Sequence, residues 1–354
     1  MEIMKPRVLV TGAGGFVGGW VAEAFHLQGW ADVRAGISRW SSAARIARFP
    51  LQIVECDIMS EPSLMKALEN VDYVVHCARG PGDDNTVTIE GTRRLIRCAK
   101  GQGVKKLIFM SSVAVYGAAV GKVDEDTKPV LPITEYGKGK REAEEICRQS
   151  ANAEFCIAAV RPTLIYGPFS EQWTIPYIQR LTSGRWRSLG NGGEGRCNLV
   201  YVGDLVRFVR FLLDKDFGPF NVFNANGPEV PTWNSYLERF NAALNLPALA
   251  PPDPSLGLRV ALRVPIRKFG KYMLAHHKGL LSAIAQRSPR LKSIMTKTEA
   301  DLRLMPNADE IERFATDVQY SMSRAAELGF RPSTNVDAGV ALTANWAKLL
   351  MFAP

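Results

Sequence analysis

The chain of 354 residues is poor in the groupings that would let its cysteines and histidines do chemistry together. Its six cysteines, at 56, 77, 98, 147, 156 and 197, form no C-x-x-C pair. Its four histidines (His26, His76, His276, His277) form no H-x-x-x-H pair. No Cys/His cluster has metal-ligand spacing, so no metal is expected. Several of the thiols sit inside apolar runs, where they pack as small hydrophobes, and a reduced cytoplasmic setting is expected. No stretch approaches the roughly 18 consecutive apolar residues of a membrane-spanning helix. The opening "MEIMKPRVLVTG" runs at once into a strand pattern, so no signal peptide is expected.

Acids are missing altogether between Pro254 and Thr298, where ten Lys and Arg stand. Outside that tract 34 bases face 35 acids, so the formal net charge of +9 is local. Within it Arg259, Arg263, Arg267 and Lys271 recur every four residues beside an apolar stripe of Leu262, Ile266, Phe269 and Met273. This spacing predicts a basic amphipathic helix, interrupted or kinked at Pro265. Two readings stand. Residues 259–273 make peripheral contact with a membrane surface and its amphiphilic substrates, or they cap the substrate lobe with cations that are solvated or bind phosphate. Phe269 and Tyr272 alone do not make an interleaved stacking platform, so nucleic acid is not an expected partner.

What the chain does contain is a steady alternation, in a composition (46% hydrophobic, 22% charged) ordinary for a soluble globular protein. "RVLVTG" (7–12) is a short β-rich run closed by glycine, after which Phe16, Val17, Trp20, Val21, Ala24 and Phe25 recur at helical spacing. The rhythm predicts strand 32–37, helix 41–48, strand 51–55, helix 62–69, strand 71–78 and helix 87–101. Strand 105–112, a loop to about 133, helix 136–150 and strand 155–162 follow. Strands and helices of these lengths build βαβ units, hence an α/β fold with a doubly wound, Rossmann-like parallel sheet. The predicted dinucleotide domain covers 1–170, with a late strand near 220–225 returning to it. Residues 171–354, including the basic tract, form a smaller, mostly helical substrate lobe interleaved with the sheet domain.

In "TGAGGFVGGW" Gly12, Gly15 and Gly18 stand three apart at the first strand-to-helix turn. Gly12 can make the turn, Gly15 lets backbone N–H groups near Phe16 and Val17 approach a pyrophosphate, and Gly18 lets helix and strand pack closely. The second strand exits into "ISRW" without the acid that would bind a ribose 2′-hydroxyl. Ser38 and Arg39 suit a 2′-phosphate instead, which places NADP(H) ahead of NAD(H).

T-G-x-x-G-x-x-G, Asp57 in "ECDI", "HCA" (76–78), "EGT" (90–92), "SSVAVYG" (111–117), Y-x-x-x-K (136–140), "RPTLIYGP" and "NLVYVGDL" follow one another in the chain. The ordered set resembles the extended short-chain dehydrogenase/reductase family, in its NAD(P)-dependent epimerase/dehydratase branch, over roughly 7–240. The resemblance implies Tyr136 as general acid/base, Lys140 as its cationic partner and a holder of the nicotinamide ribose, and Ser112 as hydrogen-bond partner of the reacting oxygen. It also implies Asp57 and Ile58 at the adenine, Cys77, Ala78 and Arg79 along the cofactor groove, and Pro162 and Thr163 beside the cofactor. Ser112, Val113, Leu164 and Arg196 would face the substrate. Read singly, Asp57 is equally a turn acid and Cys77 and Ala78 strand-end packing, while His76 reads as a core histidine.

A free phenol of pKa about 10 is ionised to only about one part in a thousand at pH 7. Lys140, one helical turn from Tyr136, is expected to favour the phenolate. Gly137 and Gly139 are expected to let cofactor or neighbouring backbone come near the helix.

Val113 and Ala114 follow Ser112 where dehydratases of the branch carry acids, which disfavours dehydration. Leu164 and Cys197 replace the Asn and Arg of many nucleotide-sugar members, with Arg196 adjacent. The first reading is therefore a nucleotide-sugar epimerase or ketoreductase. The alternatives are a reductase of a hydrophobic or lipid-linked ketone, and a dinucleotide-sensing module without catalysis. Family habit adds a homodimer through helices 87–101 and 136–150.

Overall fold

The computed structural model describes residues 5–80, 84–256 and 304–350, with 260, 262, 263, 265 and 293 between the last two. Most of the basic tract, including Arg259, Arg267 and Lys271, lies outside the described residues.

Seven parallel strands form the main sheet. They are β1 (Arg7–Thr11), β2 (Asp32–Ile37), β3 (Gln52–Glu55), β4 (Tyr73–His76), β5 (Lys106–Met110), β7 (Cys156–Pro162) and β10 (Phe220–Ala225). Their order is β10-β7-β5-β4-β1-β2-β3, so the winding reverses between β1 and β4, where Thr11 pairs with His76. Open parallel sheets bind ligands beyond the carboxyl ends of their strands at such a reversal. Two smaller parallel pairs join β6 (Gly121–Val123) to β11 (Val318–Tyr320) and β8 (Leu164–Tyr166) to β9 (Leu199–Tyr201).

Strand residues alternate between two cores because successive side chains point to opposite faces. Val8, Val10, Val75 and Ile108 pack with Val21 and Phe25 of α1 (Phe16–Leu27) and with Leu205 and Val209 of α5 (Val202–Asp214). Leu9, Val74, Leu107 and Phe109 pack on the other face with α2 (Glu61–Ala67), α3 (Thr86–Gly101) and α4 (Glu135–Ser150) through Leu64, Leu95 and Ile146. Both faces are covered, which is why these strands read as nearly continuous apolar runs.

The helix expected at 41–48 is instead two short 3₁₀ turns, Trp40–Ala43 and Ile46–Arg48. The Ser42 amide and hydroxyl both donate to the Arg39 carbonyl, at 3.0 and 2.7 Å, closing a three-residue turn that competes with α-helix.

The chain divides into two compact units. The first holds residues 1–166, 198–229 and 318–335; the second holds 167–197, 230–317 and 336–354. In the second unit Trp233 is fully buried, stacked on Tyr177 (5.9 Å between ring centres) and edge-on to Phe314 (4.8 Å). There the Arg180 guanidinium makes a paired ion contact with Glu310 at 2.7 and 3.0 Å. No described helix is long and apolar enough to cross a membrane.

Candidate active site

The glycine turn lies at the carboxyl end of β1. Gly12 has φ +67°, and a Cβ there would meet the Ala78 backbone at 2.8 Å. A Cβ on Gly18 would overlap the Gly12 carbonyl oxygen. Gly15 caps α1 without a side-chain hydrogen bond, and no acid occupies the first turn. The amides of Phe16 and Val17 thus open a helix whose first N–H groups lack intrahelical partners. Bare amides, the positive end of the helix dipole and a floor with no room for side chains together fit a pyrophosphate.

Beneath the turn runs a buried relay of side chains. The Ala78 amide donates to Thr11 Oγ1 (3.3 Å), which stands 2.8 Å from His76 Nδ1. His76 Nε2 is 3.0 Å from Thr92 Oγ1, and that hydroxyl donates to the Thr88 carbonyl at 2.5 Å. Since Thr92 spends its proton on Thr88, it accepts from His76 Nε2–H, and Nδ1 accepts from Thr11. Burial, with Lys140 nearby, pushes the imidazole pKa down to about 3, so the ring is neutral and structural, as its place in a buried strand predicts.

Ser112 follows β5, its hydroxyl accepting from the Ala114 amide at 3.2 Å at the start of the 3₁₀ turn Val113–Tyr116. Tyr136 enters from the first turn of α4, whose cap Thr134 accepts from the Gly137 amide at 3.1 Å. Burial pushes the Tyr136 phenol above its ordinary pKa; a hydrogen bond with the Ser112 hydroxyl and the charge of Arg79 oppose that rise. Lys140, one turn on, is buried and donates to the Met110 carbonyl at 2.7 Å, its ammonium 4.8 Å from the Phe109 ring centre. Desolvation lowers its pKa to about 8.

The expectation that Lys140 makes Tyr136 more acidic is therefore corrected: the phenol is less acidic than a free one, and the cation opposing this is Arg79. Burial outweighs the Ser112 hydrogen bond and the Arg79 charge.

Residues 8–225 match the NAD dependent epimerase/dehydratase family. The chain belongs to that family. It is 28% identical over 264 residues to the N-acetyl-alpha-D-glucosaminyl-diphospho-ditrans,octacis-undecaprenol 4-epimerase of Escherichia coli O157:H7, covering 71% of this chain and 77% of that one. It is 27% identical over 263 residues to the decarboxylating sterol-4-alpha-carboxylate 3-dehydrogenase of Bos taurus, covering 68% and 71%. Its fold is similar to that of a Bacillus cereus UDP-glucuronic acid 4-epimerase in complex with NAD, with TM-score 0.70, 19% identity and 97% of each chain covered.

The other candidate residues of this epimerase/dehydratase-family enzyme fall in several places. Asp57 accepts from the Met59 amide at 2.9 Å, as a turn acid does, and Ile58 is buried against Gly91 of α3. Ser38 and Arg39 are exposed past the end of β2. Cys77 donates its amide to the Thr11 carbonyl at 3.2 Å, and burial holds its thiol protonated, its pKa pushed up to about 12. Arg79 lies with its guanidinium carbon 5.9 Å from the Tyr136 ring centre. Pro162 ends β7, and Thr163 donates from Oγ1 to Ala225 O (3.2 Å) and Asn226 Oδ1 (3.1 Å). Val113 and Ala114 are partly exposed beside Ser112, and Leu164 begins β8. Arg196 belongs to the second unit, where it pairs with Asp317 at 2.8 Å.

Sequence reasoning passed over Gly14, where a Cβ would meet Ser42 Oγ at 2.6 Å, and the buried set under α4. In that set Glu144 accepts from Ser111 (2.5 Å) and from Arg161 (2.9 and 2.6 Å), and Arg161 donates to the Tyr116 hydroxyl at 2.8 Å. The available signal was a charge at each of two positions otherwise reading as buried helix and strand.

Proposed function

We propose that this family member transfers hydride reversibly at a secondary alcohol or ketone of a sugar carried on a diphosphate, as an epimerase or ketoreductase, with preference for NADP(H). The observation that carries this reading is the hydrogen-bonded Tyr136 and Ser112 pair at the carboxyl edge of the sheet, beside the glycine turn. A bound nicotinamide supplies the hydride acceptor and donor. Ser112 holds the reacting oxygen, Tyr136 moves its proton, and Lys140, braced on the Met110 carbonyl, brings a positive charge beneath the site.

Elimination is disfavoured because the turn after Ser112 offers Val113 and Ala114 rather than a carboxyl group. The sugar diphosphate agrees with what the Escherichia coli and Bacillus cereus proteins are named for. A lipid carrier on that diphosphate is the second reading. It is favoured by the undecaprenol in the first of those names and by an acid-free tract of ten cations suited to an anionic surface.

A panel of UDP-sugars, a polyprenyl-diphospho-sugar and an apolar cyclic ketone, each with NADPH or NADH and followed by product NMR, tests this. Turnover of a diphospho-sugar is expected, and Tyr136→Phe is expected to lower kcat by roughly 10²–10⁴-fold. Turnover of the apolar ketone alone rejects the sugar, and a Tyr136→Phe enzyme with unchanged kcat rejects the assigned chemistry.

The NADP(H) preference rests on exposed Ser38 and Arg39 with no acid between them and β2. Arg39→Asp is expected to move the ratio of kcat/KM for NADPH over NADH towards NADH by about tenfold or more, the worth of a charge-assisted phosphate contact. An unmoved ratio sinks the preference.

A further inference from the structure

The cation held against the Tyr136 ring comes from outside its helix. Lys140 is committed to the Met110 carbonyl at 2.7 Å. Glu135 and Lys138, flanking Tyr136 on α4, pair with each other at 2.6 Å. From α3 and the loop before it, Asp84 accepts the Thr86 amide at 2.9 Å, and Asn85 donates to the Glu135 carbonyl at 2.7 Å. The turn after β5 brings the Ser112 hydroxyl, and the Cys77 thiol at the end of β4 stays neutral. Among the described residues, the charge held against the phenol is Arg79, exposed, two residues beyond Cys77, with its guanidinium carbon 5.9 Å from the ring centre.

We propose that Arg79 is the positioning residue of the proton-transfer step: the charge it holds over the Tyr136 ring readies the phenol to release and recover its proton. A cation at this distance attracts the ring face in the neutral state and attracts the oxygen more strongly once it is anionic. The same charge bears on Lys140, whose pKa it helps to depress, so Arg79 weakens one cation while supporting one anion. The inference rests on the proposed role of Tyr136 but not on the identity of the substrate.

Two readouts test it, on the full chain. In the first, the pH profile of alcohol oxidation is recorded for wild type, Arg79→Met and Arg79→Lys. A unit charge about 6 Å away near a surface shifts a titration by about one pH unit. The limb on which the rate rises with pH is therefore expected to move up by about one unit in Arg79→Met, lowering the rate at pH 7 about tenfold, and to return most of the way in Arg79→Lys. The second is pH titration of ¹³Cζ-labelled tyrosine without substrate, with Tyr136→Phe identifying the resonance. Its midpoint is expected to rise in Arg79→Met and to recover in Arg79→Lys.

An unmoved midpoint and limb overturn the role, as does weaker NADPH binding with an unmoved midpoint, which makes Arg79 a cofactor clamp only. A shifted midpoint in a protein that turns over no substrate upholds the Arg79 charge effect and rejects the reaction assigned to the site.

Discussion

His76 shows how a single buried side chain sets a pH limit. Its two nitrogens are held between Thr11 and Thr92, and protonation would confront the Thr11 proton with a second donor. The folded pKa, near 3, lies below the unfolded value of about 6.5, so the contribution is fully present above pH 6.5 and is lost as pH falls towards 3. The loss is about 1.4 kcal/mol per pH unit, hence about 2 kcal/mol by pH 5. Urea unfolding at pH 7 and pH 5 should show this slope in wild type and its loss in His76→Gln; equal slopes in the two proteins would count against the relay. The apolar strand around His76 made its core position legible. Its partners were not, because Thr11 and Thr92 lie 65 and 16 residues away and any hydroxyl in reach would have served.

At the scale of elements, α4 explains its own glycines. A Cβ on Gly137 would overlap the Ala114 carbonyl oxygen, and one on Gly139 would overlap the Asn85 side chain. Both glycines therefore serve the approach of neighbouring chain segments, the 3₁₀ turn 113–116 and the start of α3. Alanine gains about 1 kcal/mol of helix propensity over glycine, while a backbone overlap costs about 1–3 kcal/mol, so Gly137→Ala should lower Tm. Gly139→Ala should also lower it, but Asn85→Ala in the same chain should restore much of the loss, since a side chain can be cut back and a carbonyl cannot. Calorimetric melts check both, and a Gly137→Ala protein as stable as wild type would refute the overlap. The spacing of tyrosine, glycines and lysine announced a close approach; which neighbour approaches was decided by the pairing of β4 with β5, which places their exits side by side.

At the scale of the whole molecule, chain order and spatial order part company. Strand and helix periods announced the parallel sheet, and the return of 220–225 to it was legible because "FNVFNA" is a strand pattern after a long helix. Strands β6 and β11 were not, being three residues each, too short to show a period, and 197 residues apart at their paired starts, Gly121 and Val318. What the chain determined by itself was the alternation of elements, the glycine turn and the residue types of the proposed catalytic set, because backbone sterics and side-chain period act between near neighbours. What tertiary structure alone decided was the electrostatics of that set: Lys140 turned to a carbonyl, the phenol buried, Arg79 brought over it from another strand's exit. Charge and desolvation act through space, and the groups that meet there are separated along the chain.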